Sequence, residues 1–308
     1  MVTHSARGHR EAGSAARKLN LANSQSPLGS AAALVLPATI LMAAILIAPL
    51  ALLLRYSLNI YSPTELMIEA LSPSNYVVAI SDPYYQGIML TTLGVALVCT
   101  FAAIVLGFPA AYTLARIGSP WKAWLTLLTF FPLMVGGVVR SAGWLMLLGN
   151  AGVVNSVLKW AGLISAPLEL IYTPGAVIFG LTTVVLPYAI LTLASVIESV
   201  PRSLEEAAVN LGARPPAVFR RVVLPLAIPG VVAASTLIFI LCMTAYATPV
   251  LLGGANFKMM TPAVYDQFVS TTNWPLGAAL AITLLAVTLC LTFIGTALFG
   301  RRSRHALR

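Results

Sequence analysis

The sequence predicts an all-α integral membrane protein with six transmembrane helices, and three observations carry that prediction. Of 308 residues, 59% are hydrophobic and only 9% are charged, where an ordinary soluble domain has about 25% charged. Mean hydropathy is +0.91. The apolar residues also gather into six runs, residues 31–54, 90–115, 123–148, 174–197, 226–252 and 276–299. At about 1.5 Å per residue, each is long enough to cross a hydrocarbon core of about 30 Å.

Residues 1–30 are small, polar and basic, with Arg7, Arg10, Arg17 and Lys18, and read as a disordered cytoplasmic tail. The run 31–54 exceeds the apolar core of a secretory signal and is the first span. Residues 55–89 carry two Ser-Pro pairs, Glu65, Glu69 and Asp82, which suits an extracytoplasmic connection. After the second span, Arg116 and Lys122 bracket a short inner loop. Arg140 falls roughly 27 Å along the third span, close to the far interface. Residues 141–173 mix apolar patches with Gly149, Gly152, Asn155 and Pro167, and predict an outer segment with one or two short helices. The fourth span leads inward to a charged island, 198–225. The fifth leads outward to a loop, 253–275, with Lys258 and Asp266, and the sixth ends at Arg301, Arg302, Arg304 and Arg308 in a basic tail, 301–308.

Charge gives the orientation. With the tails and the loops after the second and fourth spans inside, only Arg55, Arg140, Lys159 and Lys258 of the 18 Lys and Arg lie outside. The positive-inside rule therefore predicts both termini in the cytoplasm. The net charge of +9 sits at span ends and is not interleaved with aromatics on a polar face, so it reports topology and not nucleic acid. Trp121, Trp124, Trp144, Trp160 and Trp274 fit an interfacial belt.

Within the island, Ser203 and Glu206 have capping-box spacing, which predicts a helix start. Gly212 can take the left-handed conformation that ends such a helix. Pro215 and Pro216 suit the first turn of a second helix, and Pro225 marks its boundary. Two short helices at an angle, basic through Arg214, Arg220 and Arg221, are expected outside the lipid.

The spacing Glu206-Ala207-Ala208, three residues, Gly212, nine residues, Val222, one residue, Leu224-Pro225 resembles a known signature at every position. It is the EAA motif of the permease subunits of binding-protein-dependent ABC importers. The resemblance implies a type I ABC importer permease-like fold over residues 31–300 and a cytoplasmic coupling loop over 198–225. In that loop Glu205, Glu206, Ala207, Ala208, Gly212, Arg220, Arg221, Leu224 and Pro225 would meet a cleft on an ABC ATPase subunit. It further implies a pair of those ATPase subunits, a second permease subunit, identical or homologous, a periplasmic substrate-binding protein, and a place in the bacterial inner membrane. ATP and Mg would sit on the ATPase, and this chain would bind no cofactor.

Residues 141–155, Leu170-Ile171-Tyr172-Thr173-Pro174, Leu186-Pro187-Tyr188, residues 248–254 and 273–279 resemble the spermidine/putrescine-type subgroup. That implies a polyamine-type solute, with an amino-acid derivative, opine, organophosphonate or quaternary amine as alternatives. There is one departure. The subgroup tends to carry an acid near the outer end of the fifth span, where this chain reads Met243-Thr244-Ala245-Tyr246-Ala247-Thr248-Pro249. Arg140, Tyr188, Thr244, Tyr246 and Thr248 are candidates to line the substrate path. Each also has a plainer role: back-bonding for the threonines, the interfacial belt for the tyrosines, head-group level for Arg140.

Enzymatic function is not expected. The sequence has no Gly-rich phosphate loop and no nucleophile, base and acid set, and His4, His9 and His305 all lie in the tails. Cys99, Cys242 and Cys290 lie in apolar runs without metal-ligand spacing and read as packing residues. An ion-gradient-driven secondary transporter is the more distant alternative. It lacks the intramembrane Asp or Glu on which a proton or sodium relay usually depends.

Overall fold

The computed structural model describes residues 27–306 except Ser119 and Asn256, with side chains described over 35–298. Most of the expected N-terminal tail lies outside the described residues. The chain divides into two compact units, 1–55 and 56–308. The first is represented by helix α1 (Pro27–Ser57), which runs through Pro37 and Pro49. Val35, Leu36, Ile40, Leu41 and Ile45 are all exposed on it. A helix apolar all round, with mean hydropathy 2.4 over the most apolar 18 residues of Val35–Ser57, is one that lipid surrounds.

The second unit opens with a small antiparallel hairpin, β1 (Ile60–Ser62) and β2 (Leu66–Ile68), with Tyr61 opposite Met67. Helix α2 (Ser74–Ser81) leads to α3 (Pro83–Arg116). Asp82 accepts a hydrogen bond from the Tyr84 N–H and Pro83 takes the first helical position, so α3 starts before the expected residue 90. The stretch expected as one third span is two helices, α4 (Trp121–Met134) and α5 (Gly137–Leu148). The break at Val135 and Gly136 follows from Pro132, which lacks an N–H, and from two successive glycines with poor helix propensity. Helix α6 (Val153–Trp160) and α7 (Pro174–Ser199) follow, the latter capped by the Thr173 hydroxyl accepting from Ala176 N–H.

Helix α8 (Arg202–Asn210) stands alone. Then α9 (Pro215–Val218), a π turn (Phe219–Val223) and α10 (Leu224–Met243) run on as one helix. Pro225 is therefore no boundary, contrary to the sequence expectation. In a regular helix its ring would press on the carbonyl of Arg221, and the wider turn, in which Leu224 N–H bonds Phe219 O, carries the helix past it. The expected span 226–252 is accordingly displaced: the helix begins at Pro215 and stops at Met243. Pro249 would meet the carbonyl of Ala245 in a continued helix, and residues 244–246 break before α11 (Ala247–Gly253). Helices α12 (Met260–Val269) and α13 (Trp274–Ala306) complete the chain.

Among the described residues, six helical stretches are long and apolar enough to span: Val35–Ser57, Pro83–Arg116, Gly137–Trp160, Pro174–Ser199, Pro215–Met243 and Trp274–Leu298. The third differs from the expected 123–148 because α4 alone has only 14 residues.

Helices α3, α7 and α10 pack together most extensively, and α13 lies against α10. One face of α3 is a stripe of small buried residues, Ala96, Cys99, Ala103, Gly107 and Ala111. A Cβ on Gly107 would stand 3.0 Å from Ala189 Cβ, and one on Gly230 of α10 would stand 2.7 Å from Val196 Cβ of α7. Lipid provides no hydrophobic drive between helices, so such close backbone contacts supply the packing. Cys99 and Cys242 are buried within this packing, while Cys290 is exposed. On the opposite side of α3, Leu97, Phe101, Val105 and Leu106 are exposed, as a lipid-facing surface requires.

Candidate functional site

The loop from α7 to α10 is built by backbone chemistry. Helix α8 follows Pro201 and has no side-chain cap, so the capping box expected of Ser203 and Glu206 does not form. The helix starts at Arg202, which puts Ser203 inside its first turn. At the other end Gly212 has φ +83°. Its N–H bonds Val209 O at 2.8 Å and the Ala213 N–H bonds Ala208 O at 3.0 Å. This paired closure needs a left-handed residue and fixes the angle at which the chain leaves α8. Pro215 and Pro216 then occupy the first positions of α9, as expected.

Two sets of contacts tie the loop to the last turns of α3. Glu205 points inward, paired with Arg116, with 15% and 13% of the two side chains exposed. The Tyr112 hydroxyl donates to the same carboxylate at 2.8 Å. Arg116 also donates to Val200 O at 3.1 Å, and Arg202 donates to Arg116 O at 2.8 Å. On the second arm, Phe219 sits edge-to-face with Phe108 at 5.2 Å and Tyr112 at 5.8 Å. Nearby, Lys122 Nζ and Glu198 are 3.0 Å apart, joining the start of α4 to the end of α7. The basic loop after the second span and the 198–225 loop thus meet at one end of the bundle.

The rest of α8 faces away. Leu204, Val209 and Leu211 are exposed, Leu211 to 89%. Glu206 and Ala207 are exposed beside them, Ala208 is half-buried, and Arg220 and Arg221 are exposed on the π turn. Leu224 is exposed at its edge and Pro225 is half-buried. Apolar side chains turned outward on a short helix, rimmed by charge, are a surface shaped for a protein partner.

The expected path residues are spread over three helices, α5, α7 and α11, and the break at 244–246. Arg140 is half-buried and donates to Val135 O at 3.1 Å and to Val184 O at 3.5 Å, so its guanidinium caps the broken end of α4. Tyr188, one turn beyond Val184 on α7, is half-buried. Thr244 is exposed and back-bonds Ile240 O at 3.0 Å. Thr248 is buried, bonded to Ser141 at 2.8 Å and packed against Gly180, so in this chain it joins helices. Tyr246 is 37% exposed, and its ring lies 4.9 Å from that of Tyr265.

Sequence reasoning missed the partners. Arg116 registered only as a topological charge, Tyr112 and Phe108 as span residues, and Phe219 as an unremarked member of the 198–225 island. An aromatic one turn from an arginine at a helix end was the available signal. It likewise gave no reason to connect Tyr246 with Tyr265 across α11 and the connection to α12.

Residues 83–304 match the family model described as the binding-protein-dependent transport system inner membrane component. The spermidine/putrescine transport system permease protein PotB of Escherichia coli (strain K12) is 35% identical over 206 residues, 67% of this chain and 75% of that protein. The molybdenum transport system permease protein ModB of Mycobacterium bovis is 29% identical over 208 residues, 68% of this chain and 76% of its own length. Among solved structures, a chain of a bacterial alginate ABC transporter, in complex with its alginate pentasaccharide-bound periplasmic protein, superimposes with TM-score 0.72. That match covers 88% of this chain and 94% of the other at 16% identity, and speaks to fold alone.

Proposed function

This chain belongs to the family of binding-protein-dependent transport system inner membrane components, as a permease subunit of an ABC importer, and we propose that its cargo is a polyamine-type cation. The cargo assignment is supported by the similarity to PotB. The similarity to ModB keeps a second possibility in view, the same machinery carrying another solute.

The observation that carries the mechanism is the division of α8 into two faces. Glu205 is held inward by Arg116 and Tyr112, while Leu204, Val209, Leu211 and Glu206 face out. In our reading the outward face seats in a cleft of an ABC ATPase subunit, which binds the ATP and Mg. Closure of the ATPase pair pulls α8. The rigid turn at Gly212 and the ties to α3 and α10 convert that pull into a swing of the bundle. A second permease subunit completes the path, and a periplasmic binding protein delivers cargo to the other end. This places the loop and both termini in the cytoplasm, in agreement with the positive-inside count.

The test is assembly and stimulation. The chain is co-expressed with an ATPase subunit and a sister permease, and the purified complex is given spermidine-loaded binding protein. ATP hydrolysis should rise, and Leu211→Asp should abolish both association and stimulation while membrane insertion persists. Normal stimulation in that variant would contradict the assignment of α8.

A further inference from the structure

Helix α4 starts at the same end of the bundle as α8, packs against α7 and α3, and buries none of its own side chains. Lys122, Ala123, Thr126, Leu127 and Phe130 share one face of it and line an open groove of about 520 Å³. From Lys122 to Phe130 that groove runs about 12 Å along the helix. Ala123, Leu127 and Phe130 are exposed in it, and the Thr126 hydroxyl is turned back onto Lys122 O at 2.8 Å, so the walls are apolar. Among the lining residues Lys122 is the sole charge, and it stands at one end. Its Nζ lies 3.0 Å from Glu198, with 41% of the lysine side chain exposed. An ammonium has three N–H donors, so donors remain beyond that bridge. Trp121 and Trp124, 66% and 68% exposed, flank the same end.

An apolar slot that ends at a cation between two indoles has the chemistry of a phospholipid site: a chain in the slot, a phosphate on the ammonium, and the indoles at the level of the glycerol. A protein face laid over the groove would have to take the Lys122–Glu198 bridge out of water, which is costly, whereas a head group leaves it wet. In the orientation proposed above this end lies in the cytoplasmic leaflet, whose anionic lipids attract basic side chains. We propose that the α4 groove binds one anionic phospholipid of the inner leaflet, with its phosphate on Lys122 and an acyl chain along Ala123, Leu127 and Phe130. Glu198 shares the ammonium with that phosphate and so weakens the hold on it. The site is separate from the cargo path and independent of which solute is carried.

Lipid retention gives the test. The full chain, with the subunits that extract with it, is placed in nanodiscs holding equal amounts of phosphatidylglycerol and phosphatidylcholine, and the lipids that stay bound are counted by native mass spectrometry. The wild-type chain should keep phosphatidylglycerol about fivefold more often than phosphatidylcholine. Lys122→Gln should remove that preference, Lys122→Arg should keep it, and Thr126→Phe, which fills the groove, should lose both lipids. Glu198→Gln should raise the preference, because the ammonium then has one fewer partner. A bridge that merely ties α4 to α7 predicts the same direction for Lys122→Gln and Glu198→Gln, since either one breaks it. Glycerol 3-phosphate, a head group without chains, should not compete. Equal retention of the two lipids by the wild-type chain, shifts of equal sign in the two charge variants, displacement by glycerol 3-phosphate, or an assembled complex that keeps no lipid because another subunit covers α4 would each overturn the proposal while leaving the permease assignment intact.

Discussion

At the residue scale, two positions hold the 198–225 loop in shape for different reasons. A Cβ on Gly212 would meet nothing within 4 Å, yet the residue sits at φ +83°. The cost of substitution is therefore conformational, about 1–2 kcal/mol for an ordinary L-residue. Asparagine tolerates that region better than alanine, and proline cannot adopt it. Coupling, measured as binding-protein-stimulated ATP hydrolysis, should fall in the order Gly, Asn, Ala, Pro, and Gly212→Pro should transport nothing. Glu205 acts through packing. Glu205→Gln would leave Arg116 partly unpaired in a mostly buried setting and should cost about 2 kcal/mol, seen as a lower thermal midpoint of the purified protein. Tyr112→Phe should cost about 1 kcal/mol or less, because it removes one hydrogen bond and keeps the edge-to-face contact with Phe219.

At the element scale, stability depends on close approach of α3, α7 and α10. Gly230→Ala would drive a methyl into Val196, whose Cβ stands 2.7 Å away, and should destabilise by about 1–3 kcal/mol. A Gly230→Ala variant as stable as the wild-type chain would contradict this packing. The elements also show what the sequence could disclose. Long apolar runs and the charge at their ends revealed six spans, and Gly212 with Pro215 and Pro216 revealed the bend of the 198–225 loop, because those signals are local. The breaks at 135–136 and 244–246 accompany Pro132 and Pro249, both of which lie inside the expected spans 123–148 and 226–252. Whether a proline bends a helix or ends it depends on which neighbours satisfy the freed backbone groups, as Arg140 does for Val135 O. The inward turn of Glu205 was illegible for a similar reason. Two adjacent glutamates look alike in sequence, and only the position of Arg116 and Tyr112 on α3 decides which one faces in.

At the scale of the whole molecule, α8 and Tyr246 lie at opposite ends of the helix Pro215–Met243, whose length at about 1.5 Å per residue is roughly 40 Å. Single cysteines introduced into a cysteine-free background should reflect this. Leu211→Cys should react with a membrane-impermeant maleimide only from the cytoplasmic side, and Glu65→Cys only from outside. The central claim is that this chain has no drive of its own and is moved by ATP hydrolysis in a partner. It is tested most directly by the initial rate of spermidine uptake into proteoliposomes holding the assembled complex, with binding protein outside. Uptake should require ATP within the ATPase-facing compartment and should stay at background when an imposed proton or sodium gradient replaces it. Full-rate uptake on an ion gradient without nucleotide would contradict the account.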